Sequence, residues 1–145
     1  MRGRLIALTL LAGVIVPVGS ALASGPGSIG IRLVTDPADS RNDPRARSYI
    51  VDRVAPGTSI HRRVEIVNTT GSTADVAIYP AAASLRRSRF GFASGHSGNE
   101  LSSWTSVSRS VLRLAPGRKT VATVTIDVPK GASSGERYAV IWAEV

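Results

Sequence analysis

The sequence predicts an all-β fold in which two antiparallel sheets pack together as a sandwich. The first observation is a set of short runs in which apolar and polar residues alternate, the period that places one side of a strand against a core. The second is a series of turn signals rich in Pro and Gly between those runs. The third is that no stretch beyond residue 23 carries a convincing apolar stripe at the helical period.

Five of the alternating runs predict half-buried strands, and a sixth segment predicts a central one. The clearest run spans residues 122–128, where every second residue is apolar until Pro129 ends the pattern. The last segment, residues 138–145, is apolar on both faces except for Glu144, which is typical of a strand covered on both sides and not of an edge strand. The other runs lie at residues 29–33, 64–66, 76–78 and 112–114.

The turn signals complete this pattern. Proline presets the backbone φ of a turn, and glycine accepts a positive φ. About seven strands joined by short turns bury their alternating faces by stacking two sheets, so we expect an immunoglobulin-like antiparallel β-sandwich. Gly135-Glu136-Arg137-Tyr138 resembles the tyrosine corner that fixes a late strand in such sandwiches. The signals lie at Asp36-Pro37, Asp43-Pro44, Pro56-Gly57, residues 68–72, Pro116-Gly117 and residues 131–135.

The amino terminus predicts export. Arg2 and Arg4 precede an apolar run over residues 5–18, and Ala21-Leu22-Ala23 supplies the small residues of a cleavage site. We therefore expect a signal peptide at residues 1–23 and a single domain at residues 24–145, located outside the cell. A retained membrane anchor is the alternative, but the run is shorter than the roughly 20 residues that span a bilayer, and Pro17 interrupts it. No comparable run follows, so we expect no intrinsic membrane anchor in the domain.

The composition favours an anionic partner. The chain has no cysteine, 18 Lys and Arg residues against 10 Asp and Glu, and a formal net charge of +8. A basic surface of this kind attracts polyanions, and outside a cell these are phosphate-bearing wall polymers or membrane surfaces. A nucleic-acid partner is disfavoured because Tyr49, Phe90, Phe92 and Trp104 are scattered along the sequence and not interleaved with the arginines.

The search for catalytic or metal-binding chemistry gives little. Gly95-His96-Ser97-Gly98 superficially resembles the glycine-flanked serine of some hydrolases, but its Gly and Ser content favours a flexible loop, and the sequence cannot place His61 or an aspartate beside Ser97. The acidic cluster at Asp36, Asp39, Asn42 and Asp43 lacks the ligand spacing of the best-known calcium loop. We therefore expect a protein that is not an enzyme and that has no metal and no cofactor.

Two groups of residues are candidates for ligand binding. Arg86, Arg87 and Arg89 lie beside Phe90 and Phe92, and guanidinium groups match phosphate or carboxylate groups with two hydrogen bonds each. The structural alternative for this segment is a solvated hairpin whose aromatic side chains cap the core.

The second group is Asn99, Glu100 and Trp104, an amide, a carboxylate and an indole that could line a groove for a saccharide. The structural alternative is that Trp104 anchors the core where a strand begins.

Six short motifs occur in an order that is typical of one known family. They are Ser48-Tyr49-Ile50-Val51, Ala55-Pro56-Gly57, Val64-Glu65-Ile66-Val67-Asn68, Tyr79-Pro80-Ala81-Ala82, Asn99-Glu100-Leu101-Ser102-Ser103-Trp104 and Gly135-Glu136-Arg137-Tyr138. Over roughly residues 29–145 the chain resembles the peptidoglycan-binding domain of WxL-interacting proteins. This resemblance implies an immunoglobulin-like domain of a bacterial surface protein that binds the cell wall. Such a sandwich normally has one more strand after residues 138–145, so we expect a fragment, a truncated gene copy or a chain completed by a strand from another protein.

The sequence therefore favours an exported cell-surface binding module that associates with peptidoglycan or with teichoic-type anionic wall polymers. The alternative is a protein-interaction or adhesion module that holds another surface protein by its loops or by strand addition. An exported enzyme is disfavoured because no acid, base, nucleophile or metal constellation is convincing.

Overall fold

The computed structural model describes residues 27–34, 50 and 52–145. These residues form two antiparallel sheets packed face to face, so the predicted all-β sandwich is confirmed. One helical turn, α1, interrupts the strands, where the sequence predicted essentially no helix. In chain order the elements are β1 (Ile29–Leu33), β2 (Ser59–Asn68), β3 (Ala74–Arg86), β4 (Arg89–Phe92), α1 (Glu100–Ser103), β5 (Thr105–Val107), β6 (Val111–Leu114), β7 (Lys119–Asp127) and β8 (Ala139–Glu144).

The order of the strands is that of an immunoglobulin-like sandwich. The first sheet has the order β1-β2-β7-β5, which corresponds to strands A, B, E and D of that fold. The second sheet is built on β3, which pairs with β4, β6 and β8. In this scheme β3 and β8 occupy the positions of strands C and F.

The core lies where the alternating residues of the two sheets meet. The first sheet contributes Val64, Ile66 and Val124, and the second contributes Val76 and Ile78, all of them buried. All five alternating runs predicted from the sequence are strands, and each places apolar residues in this core. Because the chain has no cysteine, core packing and strand pairing carry the stability of the domain.

Two similar turns close the ladder between β2 and β7. The amide of Gly57 donates to the carbonyl of Val128 at one end, and the amide of Gly117 donates to the carbonyl of Asn68 at the other. Both glycines have a positive φ, 82° and 68° respectively, which side chains other than glycine rarely adopt. The predicted turns at Pro56-Gly57 and Pro116-Gly117 are therefore confirmed.

Strand β3 uses its two edges differently. The amides of Ile78 and Ala82 donate to the carbonyls of Ser110 and Ser97, whereas the amide of Ala83 donates to Tyr138. The backbone amides and carbonyls of the even-numbered residues of β3 thus point toward the edge shared by β6 and β4. Those of the odd-numbered residues point toward β8. Pro80 falls in the interval after β6 ends and before β4 begins, so its missing amide hydrogen breaks no strand pair.

The last strand differs from its prediction in one respect. Residues 138–145 were predicted to form a central strand, but within the described part of the chain β8 pairs with β3 alone. The side chains from Ala139 to Ala143 are half-buried on both faces of the strand, and Glu144 is exposed. The apolar pattern therefore reports cover on its faces, from the core on one side and from neighbouring side chains on the other, and says nothing about its edges.

The tyrosine-corner prediction is wrong. In that motif the tyrosine hydroxyl bonds to the backbone, whereas here the hydroxyl of Tyr138 donates to the carboxylate of Glu136 at 2.6 Å. Tyr138 lies just before β8, on the face of the second sheet that points away from the core.

Several predictions concern residues outside the described ranges. These are the signal peptide at residues 1–23, the turns at Asp36-Pro37 and Asp43-Pro44, and the acidic cluster at Asp36, Asp39, Asn42 and Asp43. Across residues 27–34, 50 and 52–145, the structure contains no helix with the length and hydrophobicity needed to cross a membrane.

Asn68, at the end of β2, is a fully buried polar side chain whose hydrogen bonds fix one end of the sandwich. Its Nδ2 donates to the carbonyls of Ser72 and Leu114, and its Oδ1 accepts from the amide of Thr70. It therefore ties β2 to the turn that follows it and to the end of β6.

Asn68→Ala is expected to lower the free energy of unfolding by about 2–3 kcal/mol, because it leaves buried backbone groups without partners. Urea denaturation measures the change. Val111→Ala is the control, since Val111 is highly exposed and its truncation should cost less than about 0.5 kcal/mol. Equal losses in the two variants would contradict the role given to Asn68.

Glu65 provides a pH-dependent contribution to stability. Its carboxylate lies between Arg32 of β1 and Lys119 of β7. The Arg32 Nη2 is 2.7 Å from Oε1, and the Lys119 Nζ is 3.3 Å from Oε2. Partial burial raises the pKa of Glu65, but the hydrogen bonds from Arg32 and Lys119 outweigh burial and hold the pKa below its usual value. A folded-state pKa below the unfolded one stabilises the fold above the unfolded pKa, and that contribution is lost as the pH falls through the folded pKa.

Glu65→Gln is therefore expected to destabilise the protein at neutral pH, and the difference from the parent protein should shrink as the pH drops below the ordinary glutamate pKa. Thermal melts at a series of pH values between neutral and about pH 3 measure this convergence. A difference that stays constant over the whole series would show that Glu65 acts without its charge.

Candidate functional site

The outer face of the second sheet carries most of the aromatic residues of the protein. Strand alternation places Tyr79 on the face of β3 that points away from the core, and its neighbours across the strands share that face. Five of the seven Phe, Tyr and Trp residues of the chain lie here, and we call this surface the aromatic face. They are Tyr79, Phe90, Phe92, Tyr138 and Trp142.

The rings of the aromatic face contact one another. Phe90 and Phe92 stack with centroids 6.1 Å apart, and they meet the edges of Tyr138 and Trp142 respectively. The indole nitrogen of Trp142 donates to the carbonyl of Ala93, which holds this ring in place. Phe90 and Phe92 remain 41% and 52% exposed, so the face presents flat apolar surface to the solvent.

The loop after β4 covers one part of the aromatic face. The ring of His96 stacks on Tyr79 at 3.9 Å. The hydroxyl of Ser97 donates to the carbonyl of Ser94 within the same loop. These contacts give His96 and Ser97 local structural roles, and among the described residues no hydrogen bond joins the Ser97 hydroxyl to an acidic or basic side chain.

The predicted arginine site forms the tip of a hairpin. β3 and β4 pair up to Arg86 and Arg89, which lie directly opposite each other, and Arg87-Ser88 makes the two-residue turn. Arg87 and Ser88 both have positive φ, 49° and 60°, as a type I′ turn requires, although glycine and asparagine are its usual residues. Two features of this tip, which we call the arginine hairpin, therefore oppose folding: paired like charges and a left-handed arginine.

The arginines and the phenylalanines lie on opposite faces of the hairpin. Phe90 stands opposite Leu85 and Phe92 opposite Ala83, whereas Arg86 and Arg89 belong to the other face by alternation. On the arginine side the residues that precede the tip are small. A shallow depression of about 390 Å³ at the base of the hairpin is lined by Ala82, Ala83, Ser84, Gly91, Phe92, Ala93 and Asn99, and by none of the three arginines.

Asn99 from the second predicted site lies at the base of the same hairpin. Its Nδ2 donates to the carbonyls of Tyr138 and Ala83, and its Oδ1 accepts from the amide of Ser102. The last contact caps α1 and forms a capping box together with the Ser102 hydroxyl. Both polar atoms of the Asn99 side chain therefore make hydrogen bonds within the fold.

Glu100 and Trp104 are joined by a residue that the sequence analysis did not select for this site. Arg137 binds the Glu100 carboxylate with two contacts, Nε to Oε2 at 2.7 Å and Nη2 to Oε1 at 3.3 Å. Its guanidinium carbon lies 4.9 Å from the centre of a Trp104 ring. Trp104 is thus half-buried beneath Arg137, directly before β5 begins.

Asn99 and Glu100 lie near the base of the β3–β4 hairpin. A second shallow depression, of about 320 Å³, is lined by Leu85, Asn99, Glu100, Arg137 and Tyr138 among others. Both depressions are lined by Ala83, Ser84 and Asn99. Neither depression is lined by Trp104 or by the three arginines of the hairpin tip, so the structure does not bring the two predicted sites together in one depression.

Two tyrosine hydroxyls near the aromatic face are engaged by carboxylates. The hydroxyl of Tyr79 bonds to Glu144 and that of Tyr138 to Glu136. The hydrogen bond to each carboxylate, helped by burial, raises the pKa of both tyrosines. Both hydroxyls therefore stay protonated at neutral pH and act as donors.

The described residues hold no group of three or more His, Asp or Glu side chains that could bind a metal ion. His61 is engaged in the first sheet, where its Nδ1 lies 3.0 Å from the hydroxyl of Thr125.

Comparisons of the chain with protein-family models, with curated proteins and with solved structures found no match.

The aromatic face was missed because its residues are far apart in the sequence. Alternation alone could have grouped Phe90 with Phe92, and Tyr138 with Trp142, because each pair is two residues apart in a strand or at its start. Bringing the two pairs together required the pairing of β3 with both β4 and β8, which no local pattern specifies.

Arg137 is expected to be the residue that orders the Asn99-Glu100 turn. Arg137→Met keeps much of the apolar stem but loses the contacts to Glu100 and to the Ser133 carbonyl, so the free energy of unfolding should fall by about 1–2 kcal/mol. Its loss should also expose Trp104 and shift the fluorescence of that indole to longer wavelength. The shift is best measured with Trp142 replaced by Phe, and an unchanged spectrum would contradict the stacking of Arg137 on Trp104.

Proposed function

We propose that the protein is an exported cell-surface module that binds peptidoglycan or its anionic wall polymers. The observation that carries the proposal is the arginine hairpin, which presents three exposed arginines at one tip. Among the described residues, no carboxylate forms an ion pair with Arg86, Arg87 or Arg89, whereas five other ion pairs are formed elsewhere. The resemblance to the peptidoglycan-binding domain of WxL-interacting proteins supports the same class of partner.

The electrostatics of the tip favour a ligand with closely spaced anionic groups. Arg86 and Arg89 repel each other across the strand pair, and an anion placed between them would remove that repulsion. Guanidinium groups bind phosphate and carboxylate oxygens with two parallel hydrogen bonds, which suits the phosphates of a teichoic-type polymer and the carboxylates of a peptide stem.

The aromatic face supports binding to a polymer that contains sugars. Flat rings such as Phe90 and Phe92 offer an apolar surface on which the apolar side of a sugar ring can pack. These rings lie on the opposite side of the hairpin from Arg86 and Arg89, so a polymer that contacts both must pass around the exposed edge of β4. In the described structure β4 pairs with β3 alone, which leaves that edge accessible.

The test is co-sedimentation with purified insoluble peptidoglycan, prepared with and without its anionic polymers, over a range of salt concentrations. Replacing Arg86, Arg87 and Arg89 together by Ala is expected to weaken binding to the polymer-bearing wall by roughly tenfold or more. The matched control replaces Arg53, Arg109 and Arg118, three exposed arginines elsewhere, by Ala. It removes the same charge from the protein and should weaken binding far less.

Two outcomes would contradict the proposal. Equal losses in the two triple variants would show that binding depends on net charge and not on the hairpin. Binding that neither triple variant changes would remove the hairpin from the interface. Phe92→Ala tests the aromatic face separately, because its effect should persist on wall stripped of anionic polymers.

A further inference from the structure

The outer edge of β8 is a second surface with the geometry of a binding site. The amide of Ala83 donates to the carbonyl of Tyr138, so the backbone of Tyr138 faces β3. Backbone direction alternates along a strand, and the amide and carbonyl groups of Ala139, Ile141 and Ala143 therefore point away from β3. No described residue forms a strand pair with this edge. It presents a row of backbone donors and acceptors with no charged side chain between Ala139 and Ala143.

The core is also open beside this edge. β1 lies against β8 across the sandwich, and Ile31 of β1 stands opposite Ile66, whose side chain is fully buried in the core. Ile31 shares that inward face, yet it is 38% exposed, whereas Leu33 on the same face is 7% exposed. Ile141 and Ala143 of β8 pack against the core and are only partly buried. The exposure of the inward-facing Ile31 shows a gap between β1 and the outer edge of β8, which we call the seam. Additional apolar side chains could fill this gap.

We propose that the outer edge of β8 binds an extended strand of a partner polypeptide in antiparallel register. The occupant has uncharged apolar side chains at every second position, because those side chains would enter the seam over Ile31. The strand is from a different protein and not from a second copy, since two chains that each carry a net charge of +8 repel each other. In an immunoglobulin-like sandwich this edge is where strand G pairs with strand F, so an added strand fits without rearrangement.

This proposal does not depend on the arginine hairpin, because the β8 edge and the tip of that hairpin are separate surfaces. Its probe is a synthetic peptide with the sequence of residues 120–128 of this chain, in which apolar residues alternate with polar ones. Because the amide and carbonyl of Ile141 point outward, a peptide residue directly opposite Ile141 would exchange both hydrogen bonds with it and share its inward face. The peptide amides that correspond to Val124 and Ile126 would therefore bond to β8, and those of Thr123 and Thr125 would point away from it.

The matched control lies in the peptide itself. N-methylation at the positions of Val124 and Ile126 is expected to weaken binding by at least about tenfold, whereas N-methylation at Thr123 and Thr125 should leave it within about threefold. On the protein side, Ala139→Pro removes one outward amide at the first position of β8, where proline is tolerated, and should also weaken binding. Fluorescence titration of Trp142 measures these affinities.

Amide hydrogen exchange gives the residue-specific readout. In the protein alone, the amides of Ala139, Ile141 and Ala143 should exchange fast and those of Val140 and Trp142 slowly. Addition of the peptide should slow the first group. Equal binding of both N-methylated peptides, or no change in exchange, would overturn the proposal. Slow exchange of Ala139, Ile141 and Ala143 in the protein alone would also overturn the proposal. If that protection depends on protein concentration, a second copy of the chain occupies the edge. If it does not, the edge is already covered within the chain.

Discussion

Strand β3 is the constraint on which the second sheet and both proposed surfaces depend. Its even-numbered residues, such as Val76 and Ile78, are buried against the first sheet. Its odd-numbered residues, such as Tyr79, build the aromatic face. Its two edges pair with β6 and β4 on one side and with β8 on the other. A shift of one residue in its register would exchange the two faces, placing Tyr79 in the core and Ile78 outside it.

The two ends of β3 serve different purposes. Near Ala74 the strand pairs with β6. The side-chain amide of the buried Asn68 donates to the carbonyl of Leu114 in β6 and so stabilises this end. Near Arg86 the strand projects as a hairpin whose tip combines paired arginines with left-handed backbone. Such a tip is costly for folding, and the well-packed end of the strand offsets that cost. The division is typical of proteins in which a rigid scaffold carries an unfavourable but functional loop.

Hydrogen bonds within the fold decide which polar residues remain available to a ligand. Asn99 bonds to the backbone around it, and Arg137 pairs with Glu100, so these side chains have partners within the fold. The side chains of Arg86, Arg87 and Arg89 form no ion pair within the described residues. The sequence does not distinguish these six polar residues, whereas the interactions within the fold separate those that have a partner there from those that form no ion pair.

Six of the eight strands in the described ranges, the two Pro-Gly turns and the class of fold could be predicted from the sequence, because alternation and turn chemistry are local properties of the chain. The short strands β4 and β5 carry no alternating run long enough to be predicted. The sequence also located the arginine hairpin, since adjacent arginines stay adjacent in any fold. The tertiary structure decided which residues meet: Phe90 with Tyr138, Arg137 with Glu100 and Trp104, and β3 as the partner of β8. It also showed that β8, apolar on both faces, has one edge without a described partner. Strand pairing joins residues that are distant in the chain, and no local pattern specifies that choice.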